Sequence, residues 1–408
     1  MAWLKDKKLR PALWILGILF FVALARDVLS NGRPLYCKIR GEHFFPGLRS
    51  IWTDAALPYG HPVLDSIQQR FLWRLFDYDA AVFAPIPFSA GELPMSPDTT
   101  VLQAPPGSIH PTRTDKKYRH WLGTDVTGYD VAAGLVSGAR IAVLTGAIAM
   151  GLAFALGLVL GAIAGFWGDD RLGISRGRLW LVLPGIPLAW FYGQALPLYF
   201  LGEKNLLYSL GSFAAIIALF WGLGALFQRF SILRHRVVIP ADLIIMRMAE
   251  VFTSIPGLLA IIAFAAMLQG QTQTIWAMIA LIGLFSWPGV ALFVRAELLR
   301  VRALDYVTAA RGIGLSEWQI LFRHALPNAL RPAYTIFAFG VAGAILLEAS
   351  LSFLGYGDQN LHGASWGSLL QNARRSPQLW WISLPPGLAI CLTILALHSI
   401  GEALSERR

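Results

Sequence analysis

The sequence predicts an all-α polytopic membrane protein, and three observations carry that prediction. Of its 408 residues, 56% are apolar and only 14% charged, where soluble domains carry about 25% charged residues. The mean hydropathy is +0.55. Apolar stretches of spanning length recur, among them 141–167, 275–294 and 379–400, each near the roughly 20 residues a membrane helix needs. The arginines and lysines gather at the ends of such stretches. The formal net charge of +10 is therefore orientation chemistry rather than a phosphate-binding face, and no nucleic-acid partner is expected. Of the two cysteines, Cys37 falls in a polar region and Cys391 inside an apolar stretch, so an intrachain disulfide is not expected. No P-loop, zinc-type Cys/His spacing or nucleophile elbow is present, which leaves no catalytic residue, metal site or cofactor to assign. Any energy source must reside on another chain.

The elements follow in chain order. Residues 1–31 comprise a basic tail (Lys5, Lys7, Lys8 and Arg10) and an apolar segment from Pro11 to Ala25, short for a spanning helix. Asp27-Val28-Leu29 can extend it as an uncleaved anchor, while Ala23-Leu24-Ala25 has the small-residue form of a signal-peptidase site. Residues 32–138 are polar, proline-bearing and aromatic, and predict a small extracytoplasmic segment of short strands and loops. Its last part, from His120 to Ile141, reads as an amphipathic helix on the outer membrane surface. The apolar membrane core is expected over 139–403. Its first helix carries Gly157, Gly161 and Gly165 in register, the small-residue face that lets helices approach closely in lipid. Residues from about 170 to 240 contain two further apolar stretches, 179–201 and 206–227, around a GEKN turn. They predict an extra transmembrane hairpin, kinked by Pro184, Pro187 and Pro197.

A helix then follows Asp242, an uncharged loop Gln271-Thr272-Gln273-Thr274 leads to the next, and the loop 295–331 holds six arginines and no lysine. Positive charge marks that loop, and with it both termini, as cytoplasmic. Within it, DYVTAARGIGLSEWQILFRHALPNAL spells two short helices about a glycine corner. Asp305 can cap the first, Ala309 and Ala310 keep it thin, and Gly312 and Gly314 supply left-handed conformations that end it. Ser316 and Gln319 have capping-box spacing. Trp318 and Leu321 are expected on one face of the second helix, which Pro327 should stop. Beyond Pro332 an apolar helix reaches Glu348, roughly 24 Å further along at about 1.5 Å per residue. An acid in such a run is a pore or gating candidate, with interhelix hydrogen bonding as the other reading.

Several of these strings resemble one family. A-A-x3-G followed by twelve residues and a proline is similar to the "EAA" loop of ABC importer permeases. Ala309, Ala310, Gly314, Leu326 and Pro327 stand at the matching positions, and Thr308 replaces the name-giving glutamate. HWLGTDVTGYDVAAGLVSGARI resembles the LGTDxxGRD string of the dipeptide and oligopeptide "C"-type permeases, with Tyr129 in place of the usual arginine. DLIIMRMAEVFTSIPGLLAI (242–261), EASLSFLGYG (348–357) and ASWGSLL resemble further segments of that family. NGRPLYCKIRGEHFFPGLRSIWTD resembles its Yej-type branch, linked to microcin C and oligopeptide uptake. The resemblance covers roughly 120–167 and 241–403. It implies an ABC type I importer transmembrane fold with an inserted hairpin and eight membrane helices instead of six. It implies a permease subunit of an ATP-driven importer for peptides or peptide-like solutes in a bacterial inner membrane. The implied partners are a homologous permease, two ABC ATPase subunits, an extracytoplasmic solute-binding protein and membrane lipid. The implied ATPase-coupling residues are Asp305, Thr308, Ala309, Ala310, Arg311, Gly314, Ser316, Leu326 and Pro327. A stand-alone secondary transporter is the alternative. It would need intramembrane acids or histidines along a path, and beyond Glu348 and His398 the apolar core offers few.

Overall fold

The computed structural model describes residues 9–52, 57–69, 73–74, 76–91, 102–109, 118–169, 173–192, 206–226, 235–267, 275–357 and 364–406. The GEKN turn, Pro197 and the 271–274 loop lie outside these. In chain order the elements begin with α1 (Leu9–Leu24), α2 (Arg26–Leu29), β1 (Tyr36–Ile39), β2 (Glu42–Phe44), α3 (Pro46–Trp52), α4 (Pro62–Gln69) and β3 (Ala80–Val82). Then come α5 (Val131–Ala162), which runs into a π-turn at Ile163–Trp167, β4 (Gly173–Ser175), α6 (Arg176–Trp190), α7 (Leu206–Leu226) and β5 (Arg236–Val238). The rest is helical: α8 (Ala241–Ser254), α9 (Gly257–Met267), α10 (Ile275–Arg302), α11 (Asp305–Gly312), α12 (Glu317–Ile320), a π-turn at Leu321–Ala325, α13 (Leu326–Phe353), α14 (Trp366–Ala373) and α15 (Trp380–Glu406).

Two compact units are present. The first comprises Met1–Leu158, Glu250–Phe293 and Pro327–Arg408. It includes the small segment read from the sequence, with an antiparallel sheet in the order β2-β1-β3. Cys37 on β1 packs with Ile39, Leu64, Ile67 and Trp73 as a local apolar core. Burial pushes its thiol up to about 11, so it stays protonated and unreactive at neutral pH. On α1, Leu19 and Val22 pack with Ala139, Ala142, Ile345 and Trp366. The helix's continuation is tied by Asp27, whose carboxylate accepts from Arg140 at 3.0 Å. Gly157 allows the close approach expected of it, since a Cβ there would lie 2.5 Å from Val290 on α10.

The expected surface helix within 120–141 is not a separate element. Residues 120–130 are turns, and the helix from Val131 continues unbroken to Ala162. The reason is in the motif's polar side chains. Asp125 is fully buried and accepts from the backbone N–H groups of Thr127 and Tyr129 and from Asn372 Nδ2 at 2.8 Å. Asp130 caps α5 by accepting from Ala133 N, and its other oxygen lies 2.8 Å from His120 Nδ1. Turn-forming carboxylates thus consume the residues that periodicity assigned to a helix.

Among the described residues, four helices are long and apolar enough to cross a membrane: 131–167, 275–302, 317–353 and 380–405. The helix expected after Asp242 is broken. The helices α8 and α9 form a pair bent by 78°, because Pro256 removes an N–H and disfavours helix at Ile255. Counted as one span the pair makes five. The shorter helices α1, α6 and α7 are what the eight-helix expectation would add.

The second unit comprises Val159–Ala249 and Val294–Leu326. It contains the insertion, which is a closed module. The strands β4 and β5 pair antiparallel, Gly173 with Val238 and Ser175 with Arg236, and form a neck from which α6 and α7 rise. The two helices meet through Gly185 against Phe220, and Arg178 covers the Trp221 ring at 4.9 Å. Below the neck, Asp169 Oδ1 accepts from Leu243 N at 3.0 Å, which closes the chain without help from the hairpin. Excision of the hairpin through its neck, with Asp169 and Asp242 kept, should therefore leave the remaining chain able to assemble. Loss of assembly, measured by co-purification with its partner chains, would show the hairpin to be structural.

Candidate functional site

The arginine-rich loop folds as two short helices held at a fixed angle. The first, Asp305–Gly312, ends in a Schellman motif: Leu315 N donates to Ala310 O at 3.2 Å, and Gly314 N to Arg311 O at 2.9 Å. That motif demands a left-handed residue, and Gly314 supplies it with φ +87°. Gly312, read as a second such residue, is not one; it is the last residue of α11. Ser316 opens the next helix with a complete capping box, its hydroxyl accepting from Gln319 N while the Gln319 side chain returns to Ser316 N. Only Leu315 separates the two motifs. A further clamp spans the corner, with Arg311 Nε and Nη2 donating to the two Glu317 oxygens at 2.8 and 3.2 Å. Such bidentate pairs fix orientation as well as distance.

Three expectations for this loop are corrected. Asp305 does not cap α11; the N-cap is Leu304, and no side chain caps it. Asp305 is instead the first helical residue, where a negative charge faces the positive end of the helix dipole. Trp318 and Leu321 do not share a face: Trp318 is 59% exposed and Leu321 2%. The helix turns wider at Leu321–Ala325, and that π-turn shifts the register. Pro327 does not stop the helix. The chain continues helical from Glu317 to Phe353, because the π-turn just ahead of Pro327 takes up the missing N–H and the ring's bulk.

The loop's surface is divided sharply. Val307, Ala310, Ile320, Leu321 and Ala325 are buried, whereas Ile313 is 79% exposed and Trp318 and Phe322 are each 59% exposed. Thr308, Ala309 and Pro327 also face outward, and Leu326 is half-buried. Trp318 stacks on Phe322 at 5.7 Å and lies 4.6 Å from the Trp167 ring at the end of the π-turn after α5. The same unit is tied by Asp242 and Arg295, paired through both oxygens, by Arg302 Nη1 donating to Gly165 O at 3.3 Å, and by Gly165, which has no room for a Cβ beside the Arg295 backbone. The loop is thus a rigid pair of helices with an apolar outward ridge. Ile313, Glu317 and Trp167 are members that the sequence reading missed. The only signal for the clamp was an acid six residues after Arg311, across a glycine.

Glu348 belongs elsewhere. It is 4% exposed on α13 and accepts from Ser352 Oγ at 2.6 Å, with the Ser365 hydroxyl nearby. Ser365 caps α14 through a box with Ser368. The packing is tight, since a Cβ on Gly367 would sit 2.2 Å from the Ala349 carbonyl oxygen. In this conformation Glu348 is shut away from solvent.

Long apolar helices and a bent helix pair are features of a multi-pass membrane protein, here with a rigid, outward-facing loop. The family of binding-protein-dependent transport system inner membrane components matches residues 236–408. Inner membrane ABC transporter permease protein YejE of Escherichia coli (strain K12) is 27% identical over 398 residues, 97% of this chain and 91% of the relative. Peptidoglycan transport system permease protein YejE of Agrobacterium fabrum is 26% identical over 407 residues, 96% and 87% of the two chains. A putative peptide permease protein of Brucella suis biovar 1 is 29% identical over 292 residues, 71% and 72%. The match over residues 236–408 and the likeness to two permeases over nearly the whole chain support an ABC importer permease of the inner membrane, with the type I transmembrane fold. Its near full-length similarity is to Yej-type permeases.

Proposed function

We propose that this permease forms half of a peptide translocation path, and that Asp305–Pro327 is the surface on which an ABC ATPase subunit seats. The supporting observation is the fixed corner. Movement on a separate chain is transmitted only by an element that moves as one body. Here a Schellman motif, a capping box and a bidentate ion pair lock two helices together, while Ile313 and Trp318 stand outward. Exposed apolar and aromatic anchors of this kind dominate protein interfaces. The roles follow from position. Thr308, Ala309, Ile313, Trp318 and Pro327 make the outer surface, Ala310 and Leu326 seat it, and Arg311, Gly314 and Ser316 hold its angle. The six arginines of 295–331 support a cytoplasmic position for that surface and for both termini. ATP hydrolysis is assigned to two partner ATPases, the other half of the path to a homologous permease, and capture of peptide to an extracytoplasmic binding protein. The two curated relatives named as a peptidoglycan transport system permease and a putative peptide permease support the peptide class of cargo.

Reconstitution with partner permease, ATPases and binding protein tests this. Peptide-loaded binding protein should raise ATP hydrolysis and drive peptide into the vesicles. Peptide accumulation driven by a proton gradient without ATP would instead identify a secondary transporter.

A further inference from the structure

We propose that the small extracytoplasmic segment itself binds short extended peptides bearing a free N-terminal ammonium, in a cleft along the outer edge of β3. This rests on the reading of the chain as a peptide-importer permease and adds a place where the permease holds cargo outside the transmembrane path.

The cleft measures about 650 Å³ and is lined by every residue from Phe76 to Pro85, together with Pro87, Tyr118 and Trp121. That volume falls within the roughly 300–1,000 Å³ of small-ligand sites. Successive side chains of a strand point to opposite faces, so a cleft touching all of them follows the strand's edge and not one face. Among the described residues only one edge is open to it. In the sheet order β2-β1-β3, β1 covers the inner edge of β3, and among the described residues no strand covers the outer one. An uncovered edge is a template for another extended chain, and pairing through the backbone accepts many side-chain sequences. That tolerance suits peptide cargo.

The walls supply the remaining contacts. Tyr118 packs edge-on to Phe83 at 5.6 Å, and Trp121 donates from Nε1 to Pro85 O at 3.3 Å. Val82 and Trp121 are each more than half exposed, an apolar pair facing outward beside an open strand. Charge sets the direction. Asp77 and Asp79 lie at one end, and among the described residues the lining contains no Lys, Arg or His. Asp79 Oδ2 accepts from Gly41 N at 3.3 Å, and a carboxylate has about four lone-pair positions, so it retains acceptors for an ammonium group. An extended peptide with its N-terminus at Asp77 and Asp79 and its backbone along Ala80–Val82 satisfies all three features.

The test uses the assembled importer in lipid nanodiscs without binding protein, with tetra-alanine and N-acetyl-tetra-alanine as probes in calorimetry. Wild type should bind tetra-alanine, and acetylation should weaken binding by about tenfold or more, the value of a charge-assisted bond. The double variant Asp77→Asn/Asp79→Asn should erase the difference between the probes. Trp121→Ala should weaken both, and Trp121→Phe should restore binding. Basal ATP hydrolysis, which the cleft does not serve, reports folding of each variant. No binding by wild type, or undiminished discrimination in the double variant, overturns the site. So does a variant effect confined to affinity for the binding protein, which would make the cleft a protein-docking surface. Uptake of tetra-alanine by the complete importer separates the two readings. Uptake without cleft binding sinks the cleft alone, and cleft binding without ATP-driven uptake sinks the importer reading alone.

Discussion

Gly314→Val is expected to abolish the stimulation of ATP hydrolysis by loaded binding protein while the permease still assembles. The argument is conformational and not steric. Gly314 holds φ +87°, and a side chain built there meets nothing within 4 Å. The whole effect therefore arises from the backbone. A left-handed conformation costs an L-residue about 1–2 kcal/mol, and a β-branched residue there is a true outlier. Rather than carry that strain, the corner can open, which breaks the Gly314 N to Arg311 O and Leu315 N to Ala310 O bonds and redirects the helix bearing Trp318. The transmembrane helices keep their own packing and are unaffected. Gly314→Asn should retain much of the stimulation, because asparagine tolerates the left-handed region. Thr308→Ala should retain most of it, since Thr308 is exposed on the outer surface and already lacks the carboxylate found in related loops. The readout is the ATPase rate in reconstituted vesicles with and without binding protein. Normal stimulation in Gly314→Val would mean that the corner's angle does not matter.

The second large effect is expected at Gly367, where even a methyl group is too much. Its Cβ would approach the Ala349 carbonyl oxygen to 2.2 Å and Ser352 Cβ to 2.8 Å. A helix carbonyl cannot swing aside as a flexible side chain can. The start of α14 must then withdraw from α13, which separates Ser365 from the buried Glu348 carboxyl. Overpacking costs about 1–3 kcal/mol. Gly367→Ala should therefore sharply lower the thermal midpoint and yield of the purified permease. Ser365→Ala, which removes one bond and adds no bulk, should have a milder effect. Wild-type stability in Gly367→Ala would contradict this packing.

How far the sequence disclosed these features depended on how local their causes are. The capping box at Ser316 and Gln319 and the positive φ of Gly314 were legible, because each is set by residues within one turn. The close approach at Gly157 and Gly165 was legible as a face of small residues. The neck of the insertion was not legible: β4 and β5 are three residues each and pair across more than sixty residues. The clamp from Arg311 to Glu317 and the contact of Trp167 with Trp318 depend on the corner's angle and on a π-turn, neither of which has a sequence period. The Asp305 cap failed because the helix begins one residue earlier than its side-chain chemistry suggested. Pro327 misled because a wide turn precedes it. Glu348 was legible as exceptional, but the nearby Ser365 belongs to another helix.

The central claim is that Asp305–Pro327 seats an ATPase on the cytoplasmic side, and it is tested most directly at Ile313, the most exposed apolar side chain on that surface. In a background with Cys37 and Cys391 replaced, Ile313→Cys carrying a maleimide-linked benzophenone is irradiated in the assembled importer. Ile109→Cys, exposed in the segment proposed to be extracytoplasmic, serves as the control. A covalent product of one permease and one ATPase subunit is expected from position 313 and not from position 109, with position 313 reached by impermeant thiol reagents only from the cytoplasmic face. An assembled complex that yields no such product from 313, or labelling of 313 from the outer face, would contradict the assignment.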